Sequence, residues 1–116
     1  MSLAIRLFPE PLRTVAFGAV GAGYVAVGTP LAHPSSIFMM QNGTDVALLY
    51  SLDGVNDHFV VPSNGFILFD LVTNRTLPQG AFFGQGTQVY VKQGSSGAPA
   101  TGNTYVTSVF GLNGNG

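Results

Sequence analysis

Residues 46–61 read Val46-Ala47-Leu48-Leu49-Tyr50-Ser51-Leu52-Asp53-Gly54-Val55-Asn56-Asp57-His58-Phe59-Val60-Val61, and this stretch decides the fold class. Val46, Leu48, Tyr50 and Leu52 share one face of an extended strand, while Asp45, Ala47, Leu49 and Ser51 share the other, because successive side chains alternate across a pleat. Asp53-Gly54-Val55-Asn56 is turn chemistry. Residues 58–61 form a second short strand, stopped by Pro62-Ser63-Asn64-Gly65. The period is two, and no ten-residue window of the chain carries the period of a helix.

The same pattern extends in both directions. Residues 36–41 predict an apolar strand ending at the turn signal Asn42-Gly43. Residues 66–71 are apolar on both faces except at Asp70, which predicts a central strand with Phe66, Leu68 and Phe69 in or beside the core. Residues 81–83 make a short strand, and Gly84-Gln85-Gly86 predicts a bulge with glycine at a positive φ. In residues 87–93, Val89 and Val91 should face in while Gln88, Tyr90 and Lys92 face out. Residues 103–110 are the last strand, with Val106 and Phe110 opposite Tyr105 and Val109. Residues 14–27 suit pleated structure, with Gly21-Ala22-Gly23 as a hairpin turn or a bulge in one long strand, and the glycines argue against helix. Thr29-Pro30-Leu31-Ala32-His33-Pro34 is a proline-punctuated loop.

The result is about eight short strands, the spacing of an all-β, two-sheet antiparallel β-sandwich, with the jelly roll among the topologies that fit. The sandwich spans residues 13–111, preceded by an N-terminal arm (1–12) and followed by a flexible tail (112–116). In the arm Leu3, Ile5 and Leu7 alternate with other residues, Phe8 follows, and Pro9 and Pro11 fix an extended exit. So short a strip has little to pack on alone. Leu3, Ile5, Leu7 and Phe8 are therefore expected to be assembly contacts lying along a neighbouring subunit.

Composition points the same way. The chain has 116 residues, enough for one domain. Its four basic and five acidic residues make only 8% of the sequence, against about 25% in an ordinary soluble domain. Such a surface is expected to be covered by neighbours, giving a homo-oligomer or a larger assembly. With 46% hydrophobic residues the chain is not disordered. A net charge of −1 offers no basic patch for a nucleic acid. The absence of cysteine removes disulfides, thiolate metal sites and cysteine nucleophiles. Residues 15–31 are uncharged and follow Arg6 and Arg13, yet four glycines interrupt them and they fall short of the ~20 residues of a spanning helix. No membrane partner is expected.

Little in the chain reads as chemistry. His33 and His58 have no spacing that forces them together with Asp53 and Asp57, so no metal or acid–base site is expected. The Asp53–Asp57 loop lacks the ligand spacing of a calcium loop. No nucleophile elbow or dinucleotide fingerprint is present. No cofactor and no enzymatic activity are expected. Asn42-Gly43-Thr44 and Asn74-Arg75-Thr76 match the glycosylation acceptor pattern, which matters only in a secreted protein. Two alternatives stand beside assembly: a glycan- or receptor-binding module using Tyr24, Tyr50, Tyr90 and Tyr105, and a secreted domain cleaved near Ala32.

Three features carry a resemblance. They are Ser36-Ile37-Phe38-Met39-Met40-Gln41-Asn42-Gly43-Thr44-Asp45-Val46, then Tyr50-Ser51-Leu52-Asp53-Gly54, then Phe59-Val60-Val61-Pro62. Phe69-Asp70-Leu71-Val72-Thr73-Asn74 and Val89-Tyr90-Val91-Lys92 continue the pattern. The stretch resembles small accessory virion proteins of tailed bacteriophages. That resemblance implies a non-enzymatic β-sandwich located in the virion, acting as a capsid cement or decoration protein or as a head–tail neck component. Its implied partners are other copies of itself and major capsid, neck or portal proteins. No catalytic residue is carried over.

Overall fold

The computed structural model describes residues 5–70 and 83–113. Among these, the strands are β1 (Ile5–Pro9), β2 (Arg13–Ala16), β3 (Val25–Ala26), β4 (Ile37–Asn42), β5 (Leu48–Ser51), β6 (Phe59–Val61), β7 (Phe66–Asp70), β8 (Tyr90–Gln93) and β9 (Asn103–Asn113). A 3-10 turn at Phe17–Ala19 is the helical element of the described residues. The protein is all-β, and its strands form two antiparallel sheets packed as a sandwich. One sheet runs β1-β9-β4-β7, with β2 also on β9, and the other runs β3-β8-β5-β6.

The pairing is nested. β5 pairs with β6, β4 with β7, β3 with β8, and both β1 and β2 with β9. The chain thus behaves as one long hairpin rolled up, with β4·β9 and β5·β8 closing the roll. Turn residues make the reversals possible. Asn64 takes φ 61° in the Pro62–Gly65 turn, where Gly65 N–H donates to Pro62 O at 2.9 Å. Gly86, expected in a bulge, instead sits at φ 89° in a turn closed by Thr87 N–H to Gly84 O. The positive φ was legible; the motif is a turn, after which Gly86 N–H donates to Leu31 O and Leu31 N–H to Thr87 O.

Phe38, Met40 and Val106 from the first sheet meet Leu48, Tyr50, Val61 and Val91 from the second, all fully buried. The alternation read in residues 46–52 holds, as do the inward Val89 and Val91. Polar groups bridge the layers as well. The Tyr50 hydroxyl meets that of Thr104, which donates to Gln41 O at 2.8 Å. Burial pushes the Tyr50 phenol up to about 12 despite that bond. Asn42 Nδ2 donates to Val46 O and Val61 O, both at 2.9 Å, while its Oδ1 accepts from the Thr44 amide and hydroxyl. The first glycosylation signal is therefore locked in the interior; the second, at Asn74, lies outside the described residues.

Two expectations change. Among the described residues β7 is an edge rather than the expected central strand, with Phe66 61% and Leu68 51% exposed. Only Ile67 and Phe69 pack against the core. Residues 14–27 form neither one long strand nor a hairpin, because the chain leaves β9 after Ala16 and crosses to the other sheet at β3. In the single chain the end of the arm forms a strand of the larger sheet. β1 pairs with residues 109–113, so β9 runs through Asn113, past residue 111 where the sandwich was expected to end.

Met40→Ala should cost about 2–5 kcal/mol in urea denaturation, the range for emptying a packed site, whereas Leu68→Ala should stay within about 0.5 kcal/mol, as for surface positions. Gly102→Ala should destabilise by roughly 1–3 kcal/mol or more, since φ is 90° and a Cβ would collide with the Gly43 carbonyl.

Candidate assembly surface

Directly opposed residues of an antiparallel pair share a face, so the register defines the outer surface of the larger sheet. Phe38, Met40 and Asn42 point inward from β4, which leaves Ile37, Met39 and Gln41 outward. One outer row runs Asp70, Ile37, Val109, Pro9 across β7, β4, β9 and β1. The next runs Leu68, Met39, Thr107, and the third Phe66, Gln41, Tyr105, Thr14. Leu7, opposite Gly111 and 42% exposed, extends the surface beyond the first row. Among the described residues this face carries one charge, Asp70, at its rim. An antiparallel sheet with a solvated side normally alternates apolar-in with polar-out. Here Phe66, Leu68, Met39, Ile37 and Val109 make the outside apolar too, with Phe66 and Leu68 exposed and the other three half-buried.

The four predicted assembly contacts fare differently. Leu3 lies outside the described residues. Ile5 and Leu7 belong to β1, opposite Asn113 and Gly111. Phe8 turns to the other side and stacks on Phe110, with ring centres 5.5 Å apart. His33 stacks on Phe110 in turn, at 3.7 Å and nearly parallel. Phe8 thus has its contacts within its own chain.

Sequence reasoning missed what fixes the arm's root. Pro9 opposes Val109 and Arg13 opposes Val106, so three residues, Glu10 to Leu12, span a gap that two fill on β9. This bulge turns Glu10 inward, where its N–H donates to Ser108 O at 3.0 Å. Its carboxylate accepts from Arg13 Nη2 at 2.7 Å and from the His33 amide at 3.0 Å, and it meets His33 Nδ1 at 3.0 Å. Arg13 also donates to Thr29 O at 2.6 Å, Pro30 O at 3.0 Å and Ser108 Oγ at 3.2 Å. Gly28 lets it pass, because a Cβ there would lie 2.8 Å from the arginine side chain. Burial pushes the Glu10 carboxyl up, but the bonds from Arg13, His33 and Ala32 together outweigh it and hold it below its ordinary value. Two opposite charges three residues apart outside a helix give no sequence signal for such a clamp.

The other polar candidates are dispersed. His58 Nδ1 accepts from Leu52 N–H at 3.0 Å, in a network separate from that of His33. Asp53 accepts from the amides of Asn56 and Val55 and from the Asn56 and Ser51 side chains, which hold its carboxyl far below the usual range. Those bonds are the turn itself. Asp57 pairs with the Tyr24 phenol at 2.5 Å and Lys92 at 3.1 Å. Among the described residues no three His, Asp or Glu gather as metal ligands. The four tyrosines form no common platform: Tyr50 is fully buried, Tyr24 holds Asp57, and Tyr90 and Tyr105 lie on the outer faces of opposite sheets. Among the described residues no helix is long and apolar enough to cross a membrane. Cleavage near Ala32 would remove β1, β2, β3 and the buried Val20, Val27 and Leu31.

Fold and site together define a β-sandwich with an apolar outer face and a strand clamped at one edge. Comparison of the chain with known protein families, curated proteins and solved structures finds no match.

The clamp makes stability depend on pH in a definite direction. Glu10 titrates lower in the folded state than its ordinary 4.5, so its contribution is complete above that value and is lost as pH falls through the folded-state value. Glu10→Gln should cost roughly 3 kcal/mol at pH 7, the scale for leaving one buried charge unpaired. The gap between variant and wild type should narrow at pH 3 in denaturant titrations. Asp45, Asp53 and Asp57, also lowered, keep a residual acid slope in the variant.

Proposed function

We propose that this protein is a non-enzymatic structural component of a bacteriophage particle, joining or stabilising it through repeated subunit contacts on the capsid or at the head–tail neck. The observation that carries the reading is the outer face of the larger sheet, with Phe66, Leu68 and Leu7 exposed and one rim charge among the described residues. Obligate contacts are the more hydrophobic class of interface, and symmetric repetition multiplies weak contacts. The nested strand order supports a jelly roll once β1 and β2 are counted as one bulged edge strand, an architecture found in viral capsid and lectin domains. Topology alone names no function. The apolar face and the dispersed tyrosines favour assembly over a glycan site.

Phe66→Gln with Leu68→Gln should leave the unfolding midpoint nearly unchanged, each position being worth about 0.5 kcal/mol at most. The same variant should lose self-association in sedimentation velocity at micromolar concentration. A wild-type chain that sediments as a monomer, and is missing by mass spectrometry from purified particles of its phage, would overturn the reading.

A further inference from the structure

We propose that β1 is exchanged between two copies of this chain, so that Ile5–Pro9 of one subunit lies on β9 of its neighbour in the register it takes on its own. The proposal rests on the self-association half of the assembly reading and adds the element that carries it.

β1 is built to be transferable. Among the described residues its ladder is with β9 alone, in the five pairs from Ile5 with Asn113 to Pro9 with Val109. β4 leaves β9 at Val109, so beyond that point β1 is the partner β9 has among the described residues. A two-stranded ribbon without a third strand is marginal on its own. Opening this one therefore costs little, and the sandwich beneath it keeps β2, β4 and β7 paired. The described chain has a radius of gyration of 15.4 Å, against about 13 Å for a compact domain of ~100 residues. Such an elongated shape leaves the ribbon within reach of another molecule.

The hinge sets where exchange stops. Pro9 and Pro11 hold the backbone extended on either side of Glu10 and cannot fold it back as a hairpin turn. Glu10 is fastened to Arg13, His33 and the Ser108 carbonyl, so residues from Glu10 onward stay with their own sandwich. Only the strand before the hinge is free to choose between identical ladders. Leu7 and Pro9 also continue the apolar outer face. A strand crossing to a neighbour brings the two apolar faces into continuity, and the second copy covers what one chain leaves bare. Exchange of an identical element is the low-cost route to such a contact.

The chain contains no cysteine, so Leu7→Cys with Gly111→Cys offers one disulfide in register. Unlabelled and 15N-labelled chains of this double variant are refolded together at an assembling concentration, oxidised, digested and read by mass spectrometry. Exchange predicts mixed-label cross-links as abundant as same-label ones, and covalent dimers or higher species on non-reducing gels. Cross-links confined to one label overturn it, as does an assembled sample with no cross-link. If same-label links appear while the protein still self-associates, exchange fails and the assembly reading stands; if the protein is also monomeric, both fail. Arg6→Cys with Leu112→Cys, the adjacent register pair, repeats the measurement should Gly111→Cys not fold.

Discussion

One strand holds the larger sheet together. β9 takes β2 and then β1 along one edge and β4 along the other. Remove that ladder and β1 and β2 lose their pairing, while β4 and β7 remain as an isolated pair. The composition of β9 suits this position. Thr104, Val106 and Ser108 are its fully buried inward residues, small and mostly β-branched, as a strand with neighbours on both sides favours. The two hydroxyls are not wasted inside. Thr104 joins Tyr50 of the opposite sheet to Gln41 O, and Ser108 receives Arg13. Each buried polar atom of that row is satisfied, which matters because an unmade buried hydrogen bond costs about 1–3 kcal/mol.

The few charges are placed with a consequence for function. Glu10 and Arg13 are committed to an interior clamp, and Asp53, Asp57 and Lys92 to the loop region around Tyr24 and His58. The outer face of β7, β4 and β9 is left with Asp70 at its edge. A chain this poor in charge cannot both pin its bulge electrostatically and solvate every surface with ions. It does the first. The apolar face and the weakly supported β1 ribbon then lie on the same side of the molecule, as the proposed assembly requires.

What was legible before the structure was local. The alternation of Val46, Leu48, Tyr50 and Leu52, the turn at Asp53-Gly54 and the inward Val89 and Val91 follow from a two-residue period and short-range turn chemistry. Phe66 to Asp70 was not legible, for a physical reason. A run apolar on both faces reports that both faces gain from burial; it does not report which atoms supply the cover. Among the described residues, β7 is covered on one side only. The arm has the same limit: alternation at Leu3, Ile5 and Leu7 marks a strand without naming its partner.

The sequence alone determined an all-β chain of short strands, the places where it reverses, and a charge content of only 8%. Those properties depend on residue type and on neighbours a few positions away. The tertiary structure decided which strands are edges, the nested order of the two sheets, the partner of β1 and the Glu10–Arg13–His33 clamp. Each of these joins distant positions, as Arg13 meets Ser108 across 95 residues. No local pattern encodes such a pairing, because it is selected by the burial of whole faces once the chain has closed on itself.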